Sequence, residues 1–184
     1  MFSRIQNLYQ FVDRTVADIC QRHPDEVRCG PGCCDCCYGL FDISFIEACH
    51  LASALSETPD VFSRQAEAAR EAAAAYEKLL QEGADPSRAR VRCPLLGQDN
   101  LCLCHQARPI NCRTYGTPTL LENTTHVCGL SGFDRSRSYP TINLAPLQKS
   151  LNEYSVALVG EDFGNRRFPI AWVILRPQFF LPKR

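Results

Sequence analysis

The distribution of cysteine constrains this chain more than any other feature of its sequence. Twelve of its 184 residues are cysteine, and ten of the twelve fall within residues 29–37 and 93–128. Such a content is typical either of a disulfide framework or of metal binding through thiolates. A chain of this length can bury a core of its own without covalent cross-links, so metal binding is the better explanation.

The N-terminal segment indicates a reducing compartment. Asp13, Arg14 and Asp18 interrupt the apolar run that a secretory signal peptide would require. No stretch approaches the roughly 18 apolar residues that a membrane span needs. We therefore expect a cytoplasmic protein with reduced thiols and no membrane partner.

Charge and motif content exclude several classes of function. The 20 basic and 20 acidic residues give a formal net charge of zero, so nothing indicates binding to nucleic acid. The sequence has no Gly-rich phosphate loop and no G-x-S-x-G or H-E-x-x-H motif. It therefore identifies no substrate, and it gives no oligomeric state.

Apolar spacing and capping signals predict a mainly α protein. We expect a single helix-rich domain over residues 1–184, with two irregular cysteine-bearing loops and a cysteine core at about 29–128. Ser44 and Glu47 form a capping box, and Thr58 with Pro59 reads as an N-cap followed by the first helical residue. The predicted helices span residues 2–22, 44–55, 59–82 and 144–159. The segment 168–181 is apolar, but its pattern does not distinguish helix from strand.

The two cysteine segments carry the ligands of a soft metal. Thiolates select zinc or iron–sulfur clusters and disfavour magnesium, calcium and manganese. A zinc ion and a cubane cluster each take four ligands, so ten cysteines exceed one closed site. Two centres, or one centre with further structural or reactive thiols, are both open. The adjacent Cys36 and Cys37 point in different directions and are not expected to grip one small ion together.

The order of these motifs resembles the YkgJ-type cysteine-cluster family, known for its CxxCxxCC zinc- or iron-chelating domain. The pattern reads C-x3-C-x2-C-C, then C-P-x-L, a further cysteine, R-P-x2-C-R-x-Y and a last cysteine. The resemblance covers residues 29 to about 128. It implies that the metal ligands are Cys29, Cys33, Cys36, Cys37, Cys93, Cys102, Cys112 and Cys128. Cys34 and Cys104 fall on variable positions of the family pattern.

Three arginines lie close to these cysteines in the sequence. Four thiolates on zinc(II) or on an oxidised cubane leave a net charge of −2, which a neighbouring cation can offset. Arg108 and Arg113 flank Cys112 in the R-P-x2-C-R motif, and we expect both to support the ligands. For Arg92 we expect an ordinary surface position or a pair with a carboxylate.

These features predict an iron–sulfur protein, most consistent with a 4Fe-4S cluster, that acts with a redox partner protein in electron transfer or a modification reaction. The alternative is a zinc-stabilised module or metal carrier without catalysis. Cys29, Cys33 and Cys36 also have the C-x3-C-x2-C spacing of radical S-adenosylmethionine enzymes, but no run of alternating strands follows them. Cys20 and Cys49 lie in predicted helices, where a small buried hydrophobe suffices.

Overall fold

The computed structural model describes residues 2–85 and 89–181, and it confirms a mainly α protein. No helix within these residues is long and apolar enough to cross a membrane. The helices are α1 (Ser3–Arg22), α2 (Phe45–Leu55), α3 (Asp60–Arg64), α4 (Ala66–Gln81), α5 (Ile110–Thr114), α6 (Leu144–Val159), α7 (Glu161–Gly164), α8 (Ile170–Leu175) and α9 (Pro177–Phe180). The short strands are β1 (Asp42–Ser44), β2 (Thr119–Leu121), β3 (Thr124–His126), β4 (Ile142–Asn143) and β5 (Arg167–Pro169).

The strands connect parts of the chain that are distant in sequence. β1 pairs with β5 in an antiparallel ladder, and β2 lies between antiparallel β3 and parallel β4. Helix α2 follows β1 directly and α8 follows β5 directly, so these two helices start from opposite ends of the first ladder. The ladder therefore joins the C-terminal segment to the middle of the chain.

Helix α2 lies between the two apolar clusters of the core. Its Ile46 packs with α1 and α6, whereas Phe45 and Leu51 pack with residues of α4, α8 and α9. Ser44 and Glu47 form the predicted capping box at its N-terminus, and helices α1, α2 and α6 lie where the sequence predicts them.

The predicted helix over residues 59–82 is wrong as a single element. The chain leaves helical geometry at Gln65, where φ is −98° and ψ is 3°, and forms α3 and α4 on either side of it. Val61 of α3 and Ala69 of α4 both bury against the same core cluster, which explains why the sequence pattern continues across the break. Gly83 stops α4 with a φ of +64°, as expected.

Segments in which the sequence predicts no definite helix or strand also contain regular secondary structure. The segment 168–181, which the sequence left unassigned, ends β5 and forms α8 and α9. The second cysteine segment is less irregular than predicted, because its R-P-x2-C-R motif forms α5, which carries Cys112. Residues 35–38 of the first segment form a 3-10 turn.

A buried carboxylate joins α5 to the core. Glu47 is only 2% exposed, and its Oε2 accepts hydrogen bonds from the backbone N–H and the hydroxyl of Ser44, at 3.0 and 2.9 Å. Its Oε1 accepts a hydrogen bond from the N–H of Ile110, at 2.9 Å. One side chain thus satisfies free N–H groups at the starts of both α2 and α5 and fixes their relative position.

Arg113 joins α5 to α1 in a similar way. Its side chain is 4% exposed, and its Nη1 donates to both carboxylate oxygens of Asp13, at 2.8 and 2.6 Å. The guanidinium also lies 4.1 Å from the centre of the Tyr9 ring. Helix α5 is therefore held on two sides, by α2 and by α1.

We expect the substitution Glu47→Gln to lower the free energy of unfolding by about 1–3 kcal/mol. An amide keeps only one acceptor oxygen, so one of the buried donors on Ser44 or Ile110 loses its partner. Denaturant unfolding followed by circular dichroism measures the change. Glu71→Gln, on the exposed face of α4, is the matched control and should leave stability within about 0.5 kcal/mol. Equal stability of the two variants would show that Glu47 does not hold these helices together.

Candidate metal centre

Main-chain hydrogen bonds bring the two cysteine segments together. The N–H of Cys93 donates to the carbonyl of Cys37, at 2.6 Å, and the N–H of Val91 donates to the carbonyl of Tyr38, at 3.0 Å. These bonds form a short antiparallel contact beside the 3-10 turn of residues 35–38. The backbone alone therefore places Cys37 next to Cys93.

A tight hairpin positions the next cysteine. The N–H of Gly97 donates to the carbonyl of Leu101 and the N–H of Leu103 to that of Leu95, both at 2.8 Å, so Cys93 and Cys102 lie on its two arms. Arg92 stabilises the turn by donating to the carbonyls of Leu96 and Gly97, at 2.7 and 3.1 Å. The expected carboxylate pair of Arg92 is therefore replaced by contacts with backbone carbonyls.

The hairpin, helix α5 and the first cysteine segment surround one cavity of about 580 Å³. Leu51 and Ile170 of the core form part of its wall. Nine of the twelve cysteines line it: Cys20, Cys29, Cys33, Cys36, Cys37, Cys93, Cys102, Cys104 and Cys112. All twelve cysteines are free thiols.

Five of these thiols act on one another electrostatically. Cys37 interacts with Cys36, Cys93 and Cys102. The other four, here called the inner set, are Cys36, Cys93, Cys102 and Cys112. Burial raises the pKa of Cys93 to about 12, and the charges of Cys102 and Cys36 add to the shift. Burial raises the pKa of Cys112 well above its usual value, with further contributions from the other three. The pKa of Cys102 is raised by burial and by Cys36. Every pair within the inner set thus interacts.

Cys36 differs from the rest of the inner set. The neighbouring Cys37 thiol is the main cause that lowers the pKa of Cys36 to about 7, against the opposing effect of burial. The same interaction raises the pKa of Cys37. The Cys37 thiol therefore favours the charged form of Cys36.

Arg108 provides positive charge at the inner set. Burial raises the pKa of both Cys102 and Cys112, and the guanidinium partly offsets that rise; it also helps to lower the pKa of Cys36. Its Nε is held by the carbonyl of His105, at 3.0 Å. Arg113 also lines the cavity, but its hydrogen bonds run to Asp13 and to the carbonyls of Gln106 and Arg108.

The remaining three cysteines implied by the family resemblance form a separate outer set, Cys29, Cys33 and Cys128. They line a second cleft of about 10 Å³ together with Arg28, Leu130 and Ser131. Burial raises the pKa of Cys29 to about 12, and the nearby Cys33 and Cys128 thiols add to the shift. Cys29 and Cys33 also line the large cavity, whereas Cys128 does not belong to its lining.

Asp35 is an unpredicted residue that anchors the outer set. Its carboxylate accepts hydrogen bonds from Arg90 and from the Tyr115 hydroxyl, at 2.6 and 2.9 Å. The Cys128 thiol lies 3.6 Å from the same carboxylate. The bond from Arg90 is the main cause that lowers the pKa of Asp35, so this group stays charged. In the sequence, the position of Asp35 between Cys34 and Cys36 was the available sign that this carboxylate belongs to the site.

The thiols are not arranged around a single ion. Among residues 2–85 and 89–181, no three His, Cys, Asp or Glu side chains have the geometry of ligands to one metal ion. Cys34, by contrast with its neighbours, contributes to the lining of neither cavity. Two cysteines that the sequence did not place at the site, Cys20 and Cys104, do line the large cavity.

Comparison of the chain with protein-family models, with curated proteins and with solved structures finds no match. The resemblance to the YkgJ-type family therefore stays a prediction.

In the reduced, metal-free protein we expect one thiol to react with iodoacetamide with a midpoint near pH 7. The thiolate is the nucleophile, so the rate rises with pH through the pKa of Cys36. Mass spectrometry of singly alkylated protein measures the rate, and Cys36→Ser should abolish this phase. Arg108→Gln removes a cation that favours the thiolate, so the midpoint should rise.

Arg14→Gln, an exposed substitution on α1, is the control and should leave the midpoint unchanged. A wild-type midpoint at the ordinary thiol value of about 8.5 would contradict the proposed environment of Cys36.

Proposed function

We propose that the inner set of thiols holds an iron–sulfur cluster of the 4Fe-4S type, and that the protein serves electron transfer or a redox-dependent modification reaction. One observation carries this proposal: four mutually interacting thiols from three chain segments surround one cavity of about 580 Å³. Four cysteines are the number of protein ligands that such a cluster takes.

A single zinc ion requires sulfurs that converge closely. Tetrahedral zinc with Zn–S bonds of about 2.3 Å brings its sulfurs within roughly 4 Å of one another. No three potential ligands in the described part of the chain converge in this way. A cubane distributes four cysteines over four irons and so accepts a wider arrangement within a larger space.

Charge and hydrogen bonding at the site also fit such a group. When bound, the cluster supplies one-electron chemistry. The protein contributes the cation of Arg108 beside three of the thiols, which offsets the negative charge of the ligands. It also contributes the N–H of Leu95, which lies 3.5 Å from the Cys93 sulfur, and N–H donors of this kind raise the reduction potential of a cluster.

Electron transfer requires a partner, and the surface beside Cys102 offers a place for one. Leu101 and Leu103 flank this ligand and are 48% and 44% exposed. We propose a redox partner protein that contacts this hairpin, with no role for nucleic acid. Twelve free thiols and an oxygen-sensitive cofactor suit the cytoplasm, where thiols stay reduced.

A zinc-stabilised module or metal carrier is the second candidate. Thiolates select zinc as readily as iron–sulfur clusters, and a modest closure of the inner set would produce a tetrahedral site. The same four cysteines would then serve a purely structural centre.

The protein purified without oxygen should be brown and should contain about four irons and a comparable amount of acid-labile sulfide per chain. Iron and sulfide assays, together with the visible absorption spectrum, measure this directly. The protein should be expressed in iron-rich, zinc-poor medium, so that zinc found in it reflects a preference of the site and not the supply of metal. A colourless protein with stoichiometric zinc from that medium would refute the cluster and establish the second candidate.

Serine substitution should separate ligands from bystanders. Each of Cys36→Ser, Cys93→Ser, Cys102→Ser and Cys112→Ser should reduce iron content several-fold, because loss of one of four ligands opens the centre. Cys34→Ser, in the same loop as Cys36, is the matched control and should retain the wild-type iron content. Equal losses at Cys34 and Cys36 would show that the assignment of ligands along this loop is shifted.

A further inference from the structure

The three thiols of the outer set share a small cleft of their own. The cleft between Cys29, Cys33 and Cys128 measures about 10 Å³, about the room of one water molecule. Cys29 and Cys33 also line the large cavity, and both are exposed to solvent. Three thiols that line so small a space lie close to one another.

The backbone holds the two exposed thiols together. The N–H of Cys33 donates to the carbonyl of Gly30, at 3.0 Å, and this bond closes a turn that returns Cys33 toward Cys29. Gly32 adopts the left-handed conformation that the turn requires, with a φ of +88°. Gly116 provides the surface on which Cys29 rests, because a Cβ at that position would lie 2.1 Å from the Cys29 sulfur. Only glycine at position 116 leaves room for this thiol.

From this geometry we propose that Cys29 and Cys33 form a reversible dithiol–disulfide couple that exchanges with a small-molecule disulfide. The pair is exposed, and Arg28 lines its cleft, which suits a disulfide that carries carboxylates. The Cys128 thiol is buried beside the Asp35 carboxylate and accepts the N–H of Leu130, at 3.4 Å, so it stays outside the couple. This activity goes beyond the proposed cluster and does not require it.

The exchange is balanced in atoms and electrons. The thiolate of one cysteine attacks a sulfur of the small-molecule disulfide and breaks its S–S bond, and one thiolate leaves. The second cysteine loses its proton and attacks the resulting mixed disulfide, which expels the other half as a thiolate. The protein loses two electrons and two protons and gains one S–S bond, while the small molecule is reduced to two thiols.

The couple also lies beside the inner set. The pKa of Cys29 is raised mainly by burial, then by Cys33 and Cys128, and the charge of Cys36 adds to this effect. Oxidation of the pair removes two ionisable groups from the mouth of the large cavity, which both of them line. The thiol–disulfide state of the solution would thereby change the surroundings of whatever metal the inner set holds.

The test uses full-length protein, purified anaerobically and titrated with mixtures of reduced and oxidised glutathione. After denaturation and alkylation, intact mass and tandem mass spectrometry count and locate the oxidised thiols. Wild type should lose two alkylatable thiols in one two-electron step, with a Cys29–Cys33 bond. Cys29→Ser and Cys33→Ser should form no such bond and should each gain one glutathione.

Three further substitutions test the couple without changing Cys29 or Cys33. Cys34→Ser removes a neighbouring thiol and should behave as wild type. Gly116→Ala retains all twelve cysteines but displaces the Cys29 thiol, so it should slow disulfide formation at least ten-fold, whereas Gly30→Ala, whose Cβ meets nothing within 4 Å, should not.

Iron measured in the same samples distinguishes the two proposals. Wild type without iron but with the Cys29–Cys33 bond would refute the cluster and leave the couple standing. The couple is refuted if Cys29→Ser or Cys33→Ser loses iron as Cys36→Ser does, or if both thiols resist glutathione until the metal has been removed.

Discussion

The burial of closely spaced thiols is the constraint on which the rest of this structure depends. Burial and neighbouring thiols raise the pKa of Cys93 to about 12 and that of Cys112 well above its usual value, so these groups are neutral without a bound cation. A metal that binds here would have to displace their protons, so the fold would have to hold the sulfurs in place beforehand. The Cys37 thiol and the positive charge of Arg108 both favour the thiolate form of Cys36.

The protein positions these thiols through backbone and buried polar contacts that do not involve sulfur. The bond from the Cys93 N–H to the Cys37 carbonyl joins the two cysteine segments, and Glu47 and Arg113 fix α5 against α2 and α1. Each contact connects residues that are far apart in the sequence. The helical core therefore organises the positions of these thiols.

Local signals in the sequence were sufficient for much of the fold. The apolar spacing of α1, the capping box at Ser44 and the pattern of α6 each describe an element that its own residues stabilise. The break at Gln65 was not predictable, because residues on both sides of it keep a helical apolar pattern. The hydrogen bond from Ile110 to Glu47 was not predictable either. The capping box already gives Glu47 a local role, so the sequence contains no sign of a distant partner.

The same distinction explains the division among the cysteines. The motif spacing places Cys29, Cys33, Cys36 and Cys37 in one run, and only the adjacency of Cys36 and Cys37 predicted that these two would not hold one ion together. Spacing along a loop does not determine which way the other side chains turn. The structure separates them through features outside the motif: the hairpin arm that carries Cys102, the N–H of Cys93 and the bare backbone of Gly116. Seven of the ten cysteines in the two loops form two chemically different sets, the inner set around a cavity of about 580 Å³ and the outer set around a cleft of about 10 Å³. Cys29 and Cys33 of the outer set line both spaces, and both are exposed to solvent.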